Sequence, residues 1–246
     1  NAENLVLFLS GFSMTFSPAK SGEVVKSYLI LKRFNIPVIR TVPAIICERL
    51  LDLSSMILLM LIGGLMINYS EIKVLSLAFI FFVGIFVSVR NKKVFDFFLK
   101  IIEYLPFVKI STEDKSLASS IYTKLLSPVS LVFTLFGSTL AWYFECYSLY
   151  LIVNSFGFAL SLENSIFIFC FSSIVGILSM LPGGIVVTEG SLGGLLLSSG
   201  ISTEIASISV ILVRLCTLWF SVFIGLICLK LYENFFLTSQ TANHLN

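Results

Sequence analysis

Residues 42–64 read VPAIICERLLDLSSMILLMLIGG, a run long and apolar enough to cross a bilayer, yet Glu48, Arg49 and Asp52 lie near its start. A helix rises about 1.5 Å per residue, so about 20 apolar residues cover a hydrocarbon core about 30 Å thick. Only about 15 residues, Leu53 to Ile67, follow the charges, roughly 22 Å of helix. The three ionisable groups therefore fall within one leaflet, short of the far surface. Insertion scales assign about 2.5–3.5 kcal/mol against an Asp or Arg at a helix centre and only about 0.3–0.6 kcal/mol in favour of each Leu or Ile. The cluster roughly cancels the apolar gain of its own helix unless its members pair or face water. Glu48, Asp52 and Ser55 share one helical face, and Arg49 stands three residues from Asp52, within reach of it.

The rest of the chain fits that setting. Of its 246 residues, 57% are hydrophobic and 12% charged, and the mean hydropathy is +1.00, far from the balance of a soluble domain. The fold class expected is all-α, a polytopic transmembrane helix bundle. Candidate spans lie at 4–17, 42–64, 73–89, 129–153, 161–181 and 204–230. They run from end to end, so the chain reads as one integral membrane domain, 1–246. It opens at Asn1 on an apolar stretch with no basic n-region, as a chain cut within a larger protein would. A formal charge of +2 is too small to suggest nucleic acid. The five cysteines lie in apolar segments without CxxC spacing, and His244 is the single histidine, so neither a metal centre nor a cofactor is expected.

Two segments are unlike simple spans. Residues 18–40, PAKSGEVVKSYLILKRFNIPVIR, are basic and amphipathic. Residues 182–203, PGGIVVTEGSLGGLLLSSGIST, hold six of the 15 glycines and no Lys or Arg. Both read as broken or re-entrant segments, which are tolerated at membrane depth only where protein or a water-filled cavity covers the backbone. Of the 16 basic residues, five lie in 20–40 and seven in 90–124, two helices apart, which puts loops 18–40 and 90–127 together on the cytoplasmic side of the cell membrane. The loop 90–127 mixes apolar pairs with charges and is expected at the cytoplasmic surface.

With those basic residues and the helix-end Lys73 and Lys230 set aside, Arg49 and Arg214 are the cations embedded in apolar sequence. Polar stripes accompany them: Ser207, Arg214, Thr217 and Ser221 on the last span, and Ser138, Ala141, Glu145 and Ser148 on 129–153. One reading makes these groups interhelical glue, Arg49 with Asp52 and Arg214 with Glu145 or Glu189. Counting favours a pathway, because Glu48, Asp52, Glu145 and Glu189 outnumber the two arginines by four to two. The layout also repeats. Pro18 and Gly22-Glu23 precede Arg49 and Gly63 much as Pro182 and Glu189-Gly190 precede Arg214 and Gly225. Internal repeats with broken helices in matching positions mark transporter-like folds, whose sites lie between the repeats.

At P-A-K-S-G-E-V-V-K (18–26), E-R-L-L-D (48–52), P-G-G-I-V-V-T-E-G (182–190) and the Arg214 span, the chain resembles the lysylphosphatidylglycerol synthase transmembrane-region family, flippase-like membrane proteins. Lys20 and Lys26 stand where that family often has Arg, and Met180 and Val186 where it often has Pro and Gly. The resemblance implies one or two helices ahead of Asn1, and translocation between leaflets of a lipid with a charged or glycosylated head group, such as an aminoacyl-phospholipid. In that reading Arg49 and Arg214 hold the head-group phosphate, and Lys20 and Lys26 attract it at the cytoplasmic mouth. Glu23, Glu48, Asp52, Glu145 and Glu189 supply counter-charge or accept an ammonium or sugar hydroxyls. Expected partners are that lipid and either a second copy or a lipid-synthesising enzyme. Two other classes fit the same residues: a membrane-embedded lipid-modifying enzyme or glycosyltransferase subunit using Glu48 and Asp52 as base, and a small-solute carrier.

Overall fold

The computed structural model describes residues 2–17, 22, 24–67 and 112–237, with the isolated positions 76, 80, 83, 84, 95 and 97. Regular structure among the described residues is helical, and the chain forms two compact units, 39–174 and 1–38 with 175–246.

In the unit 39–174, helix α3 (Val42–Ile67) carries the charged cluster. The earlier helices α1 (Ala2–Ser10) and α2 (Val24–Phe34) belong to the other unit. Helix α4 (Thr112–Leu125) follows, then α5 (Pro128–Ser155) and α6 (Leu162–Leu178), the last of which runs on past residue 174. Ser127 caps α5, its Oγ accepting from the Ser130 amide at 3.4 Å, and Pro128 supplies the first-turn φ. Leu131, Trp142, Cys146, Leu149 and Val153 recur at helical spacing and form its buried face. Its other side exposes large apolar rings, Phe133 at 74% among them, as a helix meeting hydrocarbon does. Between α3 and α6 the backbones approach closely, since a Cβ on Gly63 would lie 3.0 Å from the Glu163 carbonyl oxygen. Helices α5 and α6 are tied by the Ser165 hydroxyl donating to the Cys146 carbonyl at 2.7 Å.

Helix α4 shows that part of the expected surface loop is ordered. Its Tyr122 stacks on Phe95 with centroids 4.2 Å apart and packs with Ile39, Cys47 and Ala118. An ion pair of 2.9 Å joins Arg40 to Asp114 on its first turn. Burial, with a smaller contribution from Cys47, pushes the Tyr122 phenol up to about 12, so it stays neutral at physiological pH.

In the other unit, α1 continues as a tight 3-10 turn, Gly11–Met14. Helix α2 has 11 residues and α7 (Val187–Ser198) has 12, about 18 Å at most, too short to span. Each ends at a left-handed residue, Asn35 (φ 54°) after α2 and Gly200 (φ 82°) after α7, which is how helix C-termini are commonly closed. Helix α8 (Thr203–Arg214), a five-residue π turn (Leu215–Trp219) and α9 (Phe220–Tyr232) then run on as one rod. Pro128–Ser155 and Thr203–Phe236 are each long and apolar enough to cross a membrane. Helix α1 and its 3-10 turn lie on α9, where a Cβ on Gly225 would run into the backbone of Phe12 and Ser13.

The repeated layout read from the sequence recurs as an order of elements. A first helix, a link, a short helix closed by a left-handed residue and a long Arg-bearing helix occur as α1–α2–α3 and again as α6–α7–α8. Candidate span 73–89 falls mostly outside the described residues, as does 90–111 of the loop.

Candidate functional site

The Arg49 cluster is built on α3 and α5. Arg49 Nη2 lies 3.1 Å from Glu48 Oε1 and 3.2 Å from Asp52 Oδ2. Asp52 Oδ1 accepts from Ser138 Oγ of α5 at 2.7 Å. One turn along, Ser55 Oγ donates to the Leu135 carbonyl of α5 at 3.4 Å. The spacing of α3 dictates the first two contacts, and the polar stripe on α5 supplies the third. Glu145 stands two turns beyond Ser138 on the same side of α5, half-buried, and Ser148 Oγ bonds its main-chain carbonyl at 2.6 Å. The contacts join one arginine and two carboxylates, all partly accessible.

The Arg214 cluster is built on a broken helix. Four residues in the turn between α6 and α7 have positive φ: Met180, Gly183, Gly184 and Val186. This folds the chain so that the Gly183 carbonyl points at the last residue of α8. Arg214 Nη2 donates to that carbonyl at 2.5 Å, and Arg214 Nε donates to Glu189 Oε1 at 2.6 Å. Glu189 sits in the first turn of α7, where the helix dipole favours a carboxylate. Its other oxygen, Oε2, is buried and has no hydrogen-bond partner among the described residues. The Thr188 side chain fills the space above Gly176 and Gly184, so neither glycine admits a Cβ. Phe16 and Trp219 face each other at 5.9 Å, and a Cβ on Gly183 would sit 3.2 Å from the Phe16 ring. An arginine 14% exposed thus sits in a seat of one carboxylate and one main-chain oxygen beside an aromatic pair.

Lys26 of α2 turns inward. It is 8% exposed, its stem lies over Gly11, and its ammonium is 4.6 Å from the Phe8 ring centroid, a cation–π contact. Lys20 and Glu23 fall outside the described residues.

Sequence spacing anticipated Arg49 beside Asp52, and Glu189 as one of two partners for Arg214. It missed the Gly183 carbonyl, although P-G-G marks a turn whose backbone comes close to something. The Thr217 and Ser221 hydroxyls bond carbonyls of their own helix, at 2.8 and 2.6 Å, and the π turn shifts the helical register after residue 214.

Ionisable groups carried on long apolar helices, with aromatic rings turned outward, define a polytopic helical integral membrane protein. The particular family follows from comparison. The model for the lysylphosphatidylglycerol synthase transmembrane region matches residues 4–225, and the chain belongs to that family. A UPF0104 membrane protein of Methanothermobacter thermautotrophicus is 30% identical over 90% of this chain and 71% of its own length. No solved structure matches this chain.

Proposed function

We propose that this protein moves a lipid with a phosphate-bearing, charged or glycosylated head group between membrane leaflets. The observation that carries the reading is Arg214, a cation in a long apolar helix held beside a broken one by Glu189 and a main-chain carbonyl. A guanidinium in such a seat stays charged when desolvated and can fork onto phosphate oxygens in exchange for its resting partners. In the other unit Arg49, bracketed by Glu48 and Asp52, offers a guanidinium of the same kind to a phosphate. The tails remain in lipid against the phenylalanine faces. Lys20, Lys26 and Glu23 belong to the entrance, and loops 18–40 and 90–127 face the cytoplasm, a reading supported by their holding most of the basic residues. A lipid-synthesising enzyme is the natural partner.

The test is transbilayer movement in vesicles carrying the full-length protein. Anionic fluorescent phospholipid in the outer leaflet is bleached by an impermeant reductant, and the rate at which inner-leaflet lipid becomes reducible is followed. The parent should accelerate this well above empty vesicles. Arg214→Ala should return it to background while the protein still elutes as a folded species. Movement as fast as the parent's would sink the proposal.

A further inference from the structure

We propose that the π turn Leu215–Trp219 is a hinge, and that its conversion to α-helix swings Arg214 off Glu189 and the Gly183 carbonyl. The inference rests on the reading that Arg214 meets the lipid head group, and adds how it would do so. The Phe220 amide reaches back five residues to the Leu215 carbonyl, which places the wide turn directly after Arg214. Such turns accommodate one residue more than the α-helix does, and are frequent at functional sites.

Its neighbours explain why it is there. Below the turn, Gly225 holds α9 backbone-to-backbone against Phe12 and Ser13, and Tyr232 is buried beside Leu29. Above it, α8 lies on α7 with Arg214 in its seat. A regular helix could not satisfy both contacts, because taking up the extra residue turns α8 by about 100° and shifts it about 1.5 Å relative to α9. With a guanidinium about 6 Å from the helix axis, that rotation carries it roughly 9 Å, from one face of the rod to another.

The present seat is also incompletely satisfied. Glu189 Oε2 is buried and without a hydrogen-bond partner among the described residues. Buried polar atoms are nearly always bonded, so an orphan oxygen in the seat itself marks an arrangement that a second rotation of α8 can compete with. Thr217 Oγ1 already bonds the Val213 carbonyl across the junction, which supplies a local partner for an opened backbone group during the change.

The experiment is a distance measurement by paired spin labels in the full-length protein in phosphatidylcholine–phosphatidylglycerol vesicles. Leu197→Cys on α7 and Ile208→Cys on α8 are exposed positions that take no part in the seat, and the exposed Cys216 is replaced by Ser. Two distances should appear. Glu189→Gln, which weakens the charge-assisted bond, should raise the weight of the minor one about threefold or more. Deleting Cys216 removes the extra residue of the π turn and should leave a single distance. If the deletion does not fold, the parent and Glu189→Gln decide alone. One unchanged distance in both overturns the hinge. A redistribution in a protein that moves lipid no faster than empty vesicles supports the hinge and removes the transport reading, whereas a fixed distance with slowed movement in Glu189→Gln overturns the hinge and keeps that reading.

Discussion

The two half-buried arginines are held in opposite ways. Arg49 lies on an uninterrupted helix and is bracketed by two carboxylates from its own turns, one of which is held by a hydroxyl from α5. Arg214 lies at a helix discontinuity and leans on one carboxylate and one carbonyl from a strained glycine turn. The first arrangement is redundant, since either carboxylate can go and the cation keeps a partner. The second has, among the described residues, a single carboxylate, so losing Glu189 leaves only the neutral Gly183 carbonyl. Redundancy of counter-charge makes a fixed post, and a cation with one described carboxylate beside a π turn makes a moving part.

The largest expected effect tests that contrast directly. Arg214→Ala strands Glu189 with one oxygen already unbonded and should cost about 3 kcal/mol of stability, the lower end for breaking a buried pair because Glu189 is partly accessible. Arg49→Ala should cost about 1–2 kcal/mol, because Asp52 keeps Ser138 and Glu48 is 34% exposed. Thermal unfolding in detergent gives the order. Double-mutant cycles sharpen it, with a coupling for Arg214 and Glu189 larger than that for Arg49 and Asp52, where Glu48 compensates. Equal couplings would erase the distinction.

Next in size is Gly225→Ala, expected to cost about 1–3 kcal/mol by overpacking, since the neighbour that must give way is the backbone of Phe12 and Ser13. Gly190→Ala, with open space around it, is the control and should be nearly neutral or slightly stabilising. Smaller again, Ser138→Ala should cost about 1 kcal/mol, the net worth of a hydrogen bond to a carboxylate that retains Arg49. A loss above about 3 kcal/mol would mean that the Arg49 cluster lacks the redundancy assigned to it.

The contrast also explains what the sequence reveals. The apolar runs, the break at 182–203 and the Arg49–Asp52 pair follow from composition and spacing along one helix, so they are legible without coordinates. The carboxylate count was legible as an imbalance of four to two, and the folded chain narrows it, since Glu48 and Asp52 share Arg49 and Glu189 meets Arg214. The π turn was not legible. It is imposed by two docking contacts on either side of residues whose own preferences are for ordinary helix, and nothing in Leu-Cys-Thr-Leu-Trp announces it. The Gly183 carbonyl was hidden for a related reason, because a backbone acceptor has no letter in the sequence. The ordered α4 inside an expected loop depended on Tyr122 finding Phe95 and Cys47, residues distant along the chain.

The smallest prediction concerns the turn that holds Arg214. Val186 has φ 72° and ψ −49°, close to the rare and strained γ-turn geometry, and a β-branched side chain tolerates it worst. It is 72% exposed, so its side chain contributes little packing to offset the strain. A residue held so costs about 1–3 kcal/mol, while glycine forfeits about 0.5–1 kcal/mol of chain entropy. Val186→Gly should therefore stabilise the protein by about 1 kcal/mol, read as a higher unfolding temperature in detergent. Relaxing the turn should also loosen the Gly183 carbonyl's hold on Arg214, whereas the same change could not affect Arg49. A gain in stability accompanied by an altered Leu197–Ile208 distance would tie the strain to the seat. A gain with the distance unchanged would mean that the turn positions α7 alone, and that Glu189 by itself keeps Arg214 in place.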